Sequence, residues 1–248
     1  MNKAEQLKAL HEAEDVLVLV NVWDVATART VAGLPGTRAL ATASHSIAEA
    51  HGYEDGEHIP FDLMLAAVER IVRAVDLPVT ADLEAGYGDV DRTIRAAIGV
   101  GAVGANLEDG MRPFPESVAA VRQAMAAAEA EGVPFVLNAR TDAYLLAGDR
   151  DPGEVLADAI ARGRAFLTEG ATCVFVPGVA EPSVIAALVD GIGVRKVSVI
   201  AGRGGPTMAE LQALGVARVS SGPYPQIYLL EALAQLGTTL LSGGGFPA

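Results

Sequence analysis

A single (β/α)8 barrel of the TIM type is the α/β fold class this sequence predicts. Three observations lead there. Eight short apolar, β-branched runs recur along the chain; the segments between them have helical periodicity; and the length of 248 residues matches the usual size of such a barrel. Strands that alternate with helices build a parallel sheet, and eight such units close on themselves. A doubly wound open sheet is the runner-up. It usually carries a Gly-rich turn after its first strand, and "NVWDVATA" (21–28) has none.

The elements follow in order. "MNKAEQLKALHEAED" is charged and amphipathic, which places an N-terminal helix over 1–14. It has neither a signal-peptide core nor a transmembrane span. The first four strand runs are "VLVLVNVW" (16–23), "RALATAS" (38–44), "PVTADLE" (78–84) and "AVGANLED" (102–109). The last four are "PFVLNART" (134–141), "TCVFVPGV" (172–179), "KVSVIAG" (196–202) and "ARVSSGP" (217–223). Between them, "PFDLMLAAVERIVRAV" (60–75) and "ESVAAVRQAMAAAEAEG" (116–132) repeat their apolar residues at helical spacing. Gly132, Gly170 and Gly215 stop helices before the next strand. No linker divides the chain, so residues 1–248 form one domain, and "SGGGFPA" (242–248) is a short flexible tail. The connection 45–59, "HSIAEAHGYEDGEHI", is long for a loop, and loops of that length are commonly functional.

Composition narrows the partners. The formal net charge of −13 argues against nucleic acid and anionic membranes, both of which need basic patches. It leaves a small anionic substrate open, because a local Arg or a metal overrides the global sign. The single cysteine, Cys173, permits no intrachain disulfide and suits a reducing compartment, so a cytoplasmic location is expected.

Polar residues gather at the C-terminal ends of the strand runs, the face where barrel enzymes place their chemistry. Asn21 and Trp23 follow the first run; Ser44 and His45 follow the second, with Asp55 further along. The third run ends on Asp82 and Glu84, the fourth on Asn106 and Glu108, the fifth on Asn138 and Arg140. Alternate strand residues share a face, so Asp82 and Glu84 are expected side by side. Two like charges there call for a cation or a proton. Oxygen ligands without His or Cys suit Mg²⁺ or Mn²⁺ rather than Zn²⁺. Arg140 offers a fork for a carboxylate. Trp23 is read as pocket wall, and His45 as facing the substrate.

"TASHSIAEAHGYEDG" (42–56), "ADLEAGYG" (81–88), "NLEDG" (106–110), "NARTDA" (138–143) and "ARVSSGP" (217–223) occur in an order that resembles the isocitrate lyase/phosphoenolpyruvate mutase superfamily, from about Asn21 to Leu233. The resemblance implies a (β/α)8 barrel and a catalytic Mg²⁺. It also implies cleavage or formation of a bond next to a carbonyl, through a metal-bound enolate, and assembly as a homodimer or homotetramer. Asp82 and Glu84 match the acid-x-acid metal motif, and Glu108 the third acid. Arg140 matches the substrate-carboxylate arginine. Ser44 and His45 match the turn whose amides hold the substrate oxyanion, and Asp55 the loop acid of the phosphonate mutases. One departure stands out. "DGMRPFPES" (109–117) holds none of the Cys, His, Lys or Asn residues of the superfamily's catalytic lid.

The resulting expectation is a Mg²⁺-dependent lyase or hydrolase of a small 2-oxo or 2-hydroxy dicarboxylate, with Mn²⁺ as a substitute. Asp82, Glu84 and Glu108 are the expected metal ligands, and Asp55, His45 and Arg140 the catalytic residues. Trp23, Ser44, His45, Asp82, Asn138 and Arg140 are expected to bind substrate. The alternatives are P–C chemistry on a phosphonopyruvate-like substrate and a non-catalytic oxo-acid binder. Pro113 and Pro115 make 109–117 a stiff turn, which leaves 45–59 as the expected moving cover.

Overall fold

The computed structural model describes residues 1–247; Ala248, the last residue of the expected tail, lies outside them. Helix α1 (Lys3–Glu12) precedes a parallel sheet of nine segments. These are β1 (Leu17–Leu19), β2 (Asn21–Val22), β3 (Leu40–Thr42), β4 (Val79–Asp82), β5 (Gly104–Glu108), β6 (Val136–Arg140), β7 (Cys173–Phe175), β8 (Val197–Ile200) and β9 (Arg218–Ser220). β1 and β2 are the two halves of the first expected strand. Leu17–Leu19 pair with Arg218–Ser220, whereas Asn21 and Val22 pair with Ala41 and Thr42. A tilted, staggered strand meets its two neighbours at different heights, and this split nearly closes the sheet into an eight-unit barrel. Asn21 ties the seam: its side-chain amide donates to the Thr42 carbonyl (2.7 Å), and its Oδ1 accepts from the Ser221 and Gly222 amides (2.9 and 2.8 Å).

Nine further helices follow: α2 (Val25–Ala32), α3 (Ser44–Ala50), α4 (Phe61–Ala74), α5 (Val90–Gly99), α6 (Phe114–Ala130), α7 (Pro152–Thr168), α8 (Pro182–Ile192), α9 (Met208–Ala213) and α10 (Tyr224–Leu241). The connection 45–59 is therefore not all loop, because its first third is α3. Among the described residues no helix is long and apolar enough to cross a membrane.

Leu7 on α1 packs with Leu17, Leu19 and Val136 and plugs the N-terminal mouth of the barrel. A Cβ at Gly104 would lie 2.7 Å from the Val136 carbonyl and 2.9 Å from Leu7, so only glycine lets α1 seat this closely. Above this plug the barrel interior is polar. Asn138 donates to Asn106 Oδ1 (2.8 Å), as does the fully buried Arg218 (3.2 Å).

α1 also buries His11, whose Nδ1 lies 2.9 Å from the Leu7 carbonyl. Burial, assisted by the nearby Arg218 charge, pushes this imidazole down to about 3. The folded value lies below the unfolded one, so the unfolded chain binds more protons between about pH 3 and 6.5. The stability His11 contributes is complete above pH 6.5 and is lost as the pH falls through that window. The loss by pH 4 is on the order of 3 kcal/mol. Urea unfolding at pH 7 and pH 4 should show a smaller acid loss in His11→Phe than in the native chain; equal losses would remove His11 as the cause.

Candidate active site

The site forms where β4, β5 and β6 end. Pairing sets Asp82 level with Asn106, Asn106 level with Asn138, and Glu108 level with Arg140. Asn106 fixes the floor. Its Oδ1 is taken by Asn138 and Arg218, so its Nδ2 turns up to Asp82 Oδ1 (3.3 Å). Asp82 Oδ2 accepts from the Ser44 amide (3.1 Å) and hydroxyl (2.9 Å). It thereby caps α3, whose own N-cap residue, Ala43, has no side chain to do so. The same Ser44 hydroxyl lies 3.3 Å from Asp55 Oδ1. One hydroxyl proton thus faces two carboxylates, which is a place for a cation or a further proton.

Arg140 is held by Glu108 (2.7 Å) and Asp142 (2.6 Å), with the Phe175 ring 5.9 Å from its guanidinium carbon. Burial lifts the Glu108 carboxyl to about 8 against the pull of Arg140, with Asp142, Asp82 and Glu84 adding to the rise. Burial raises Asp142 as well. Burial opposes the Arg140 charge, but Glu108, Asp142 and Asp82 outweigh it and hold the guanidinium above its ordinary value. Asp82, Glu108 and Asp142 thus act on a single guanidinium, with Glu84 close enough to act on Glu108 and Asp55 across Ser44 from Asp82, a group of oxygen donors that would suit a hard divalent cation.

Glu84 does not share a strand face with Asp82. The strand stops at Asp82, and Glu84 turns off it with φ 51°. Its carboxylate accepts from the Gly56 and Glu57 amides (both 3.0 Å), which anchors the loop carrying Asp55. Among the described residues no three His, Cys, Asp or Glu side chains converge closely enough to enclose an ion unaided. Asp82, Glu84 and Glu108 are hard oxygen donors of the kind that would hold Mg²⁺, an ion that keeps part of its water shell.

Asn21, Ser44, His45, Asp55, Asp82 and Arg140 line one cavity of about 530 Å³ at this end of the barrel. His45 Nδ1 is buried and has no hydrogen-bond partner. Two expected substrate residues lie elsewhere. Trp23 packs against the core outside the barrel and is not part of the cavity wall. Asn138 is fully buried one layer below, where it positions Asn106. Within 109–117 the expected tight turn is 109–113, and 114–117 are already the first turn of α6; both are pinned from beneath by the nearly buried Arg162. Its Nη1 reaches Asp109 (3.0 Å), the Arg112 carbonyl (3.1 Å) and Ser117 (3.1 Å). Crystals with and without an oxalate-like ligand should show this turn fixed and 51–58 displaced; the reverse would overturn the assignment of the cover. Sequence reasoning passed over Arg162, Arg218 and the apolar part of the cavity wall. An arginine inside an apolar run, as in "ARVSS", was the one available signal.

The phosphoenolpyruvate phosphomutase family profile matches residues 7–241. The chain belongs to the isocitrate lyase/phosphoenolpyruvate mutase superfamily. Within this superfamily it is similar to a Burkholderia cenocepacia J2315 protein named as a phosphonomutase. That structure is 44% identical with a TM-score of 0.90, over 95% of this chain and 99% of that one. The structure of oxaloacetate acetylhydrolase bound to 3,3-difluorooxalacetate matches at 25% identity and a TM-score of 0.88, over 99% and 89% of the two chains. The 2,3-dimethylmalate lyase of Eubacterium barkeri is 26% identical over 97% of this chain and 86% of its own. Superfamily membership supports enzymatic action on oxo- or hydroxy-acid substrates.

Proposed function

We propose that this protein is a Mg²⁺-dependent lyase or hydrolase that cleaves the C–C bond beside the oxygen-bearing carbon of a 2-oxo or 2-hydroxy acid. One observation carries the reading: Asp82, Ser44, Asp55, His45 and Arg140 open into one cavity at the C-terminal ends of the strands. The names of the relatives, among them an oxaloacetate decarboxylase of Paraburkholderia xenovorans, support the substrate class.

Arg140 binds the substrate carboxylate, its orientation held by Glu108 and Asp142. The His45 amide lies in the first turn of α3, where N–H groups have no carbonyl within the helix, and donates to the substrate oxygen. Asp55, through Ser44, takes the proton of the hydroxyl of a 2-hydroxy acid, or of the water that adds to the carbonyl of a 2-oxo acid, and the His45 imidazole, which lines the cavity, gives one to the leaving carbon. Asp82, supported by Glu84 and Glu108, would hold a Mg²⁺ or Mn²⁺ ion, which when bound would supply Lewis-acid polarisation of the carbonyl. The exposed Tyr228, Leu229, Leu230 and Leu233 of α10 support self-association as a dimer or tetramer.

The test is a screen of C4 to C6 oxo and hydroxy acids with Mg²⁺, following pyruvate, glyoxylate and oxalate. Expected is turnover of at least one of them, abolished by EDTA and restored by Mg²⁺. Turnover that survives EDTA would remove the metal, and no turnover across the series would remove the lyase reading. The similarity to a protein named as a phosphonomutase, together with Asp55 at the cavity, favours a second reading, P–C cleavage. Phosphorus NMR with phosphonopyruvate tests it, and absence of consumption counts against it.

A further inference from the structure

The cavity is larger and more apolar than a four-carbon diacid needs. About nine non-hydrogen atoms, at roughly 30 Å³ each, would fill about half of it. Ser44, His45, Asp55, Asp82 and Arg140 come from the β3–β6 side of the barrel, and Arg203, Ser220 and Tyr224 are among the polar residues of the opposite side. That side is also walled by Leu145 after β6, Phe175 at the end of β7, Val179, Ile185 on α8, Val199 on β8 and Ile227 on α10. Val179, Ile185 and Val199 are buried within the fold, so this lobe is a built recess rather than a surface scar. Its mouth holds Arg203, but Glu231 on α10 already pairs with that guanidinium. Arg140, on the β3–β6 side, is the other cation of the wall. The lobe therefore holds no buried charge for a second distant carboxylate, since Arg203 is 71% exposed at its mouth and shared with Glu231.

The geometry points to a 2-oxo or 2-hydroxy acid that carries a hydrocarbon substituent of roughly four to eight carbons, its acid head at Arg140 and Asp82 and its chain in the lobe. This rests on the proposed function and narrows its 2-oxo and 2-hydroxy acids to those that bear an alkyl or aryl substituent. Phe175 joins the two halves, because its ring lies beside the Arg140 guanidinium and also forms part of the apolar wall.

Calorimetric binding of unbranched 2-oxo acids, from pyruvate to 2-oxooctanoate, tests it on the full chain with Mg²⁺ present. Each added methylene should tighten binding about two- to fourfold, so the five added across the series should give at least thirtyfold. Ala201→Phe and, independently, Ala180→Trp place bulk at the mouth of the lobe. In either variant that still melts near the native temperature, the ratio of the pyruvate Kd to the 2-oxooctanoate Kd should fall toward one. A flat or reversed series, with pyruvate and oxalate still binding, overturns the lobe and leaves the proposed function standing. So does a ratio that survives both variants, since the chain would then lie elsewhere. A lobe filled by a second copy's segment would show as a flat series that steepens on dilution to monomers, and this also overturns the inference. No binding of any 2-oxo acid or of oxalate removes both readings.

Discussion

Asp82→Ala is expected to lower kcat by about 10³-fold or more and to weaken Mg²⁺ binding, with the fold intact. Asp82 is the acid that both faces the cavity and has its two oxygens oriented by protein donors. Asn106 holds Oδ1 from below and Ser44 holds Oδ2 from the side. Removing the carboxylate takes away the ligand proposed for the ion. It also strips the N-terminus of α3 of its acceptor, a loss of about 1 kcal/mol that the fold can absorb. Asp82→Asn keeps the shape and can still accept from Ser44. It should therefore recover the lost stability while turnover stays low. Steady-state kinetics, a metal titration and thermal unfolding of the two variants separate these effects. Native turnover in Asp82→Ala would remove the site.

Arg162→Met is expected to cost about 3–5 kcal/mol of stability, the largest such effect among the ion pairs of the described residues. Asp109 and Arg162 are 2% and 7% exposed, and the variant would leave Asp109 charged, buried and without its cation. Asp109 also accepts from the Met111 and Asp142 amides (both 3.0 Å), so it cannot turn outward to water without breaking the turn after β5. That turn joins Glu108 to α6, and Asp142 in turn grips Arg140. Loosening it should raise KM more than it lowers kcat, because Arg140 would lose its bracing before the groups around Asp82 moved. Asp109→Asn in the Arg162→Met background should return part of the stability by removing the stranded charge. Urea unfolding measures both. A loss below about 1 kcal/mol would place this pair with ordinary surface bridges.

Much of the architecture is local and was readable in the chain. Eight β-branched runs, helical spacing between them and glycines at helix ends each express preferences of a few neighbouring residues, and the barrel is the way such units bury their faces. The placement of Asp82, Glu108 and Arg140 at strand ends follows from the same period-two logic. That logic stops where a strand stops. Glu84 lies two residues past Asp82, and its backbone leaves the strand because its carboxylate is bound by the Gly56 and Glu57 amides, nearly thirty residues upstream. Helix α3 was invisible for a similar reason: it begins without a capping side chain of its own and borrows the carboxylate of Asp82 from another strand. Trp23 and Asn138 went to core and floor because burial depends on neighbours drawn from the whole barrel. The apolar lobe, assembled from β7, β8, α8, α10 and the loop after β6, exists only once the barrel has closed. Chemistry carried by one residue type at a strand end can be read from sequence. The shape of the space those residues share is set by segments far apart in the chain, and only tertiary packing brings them together.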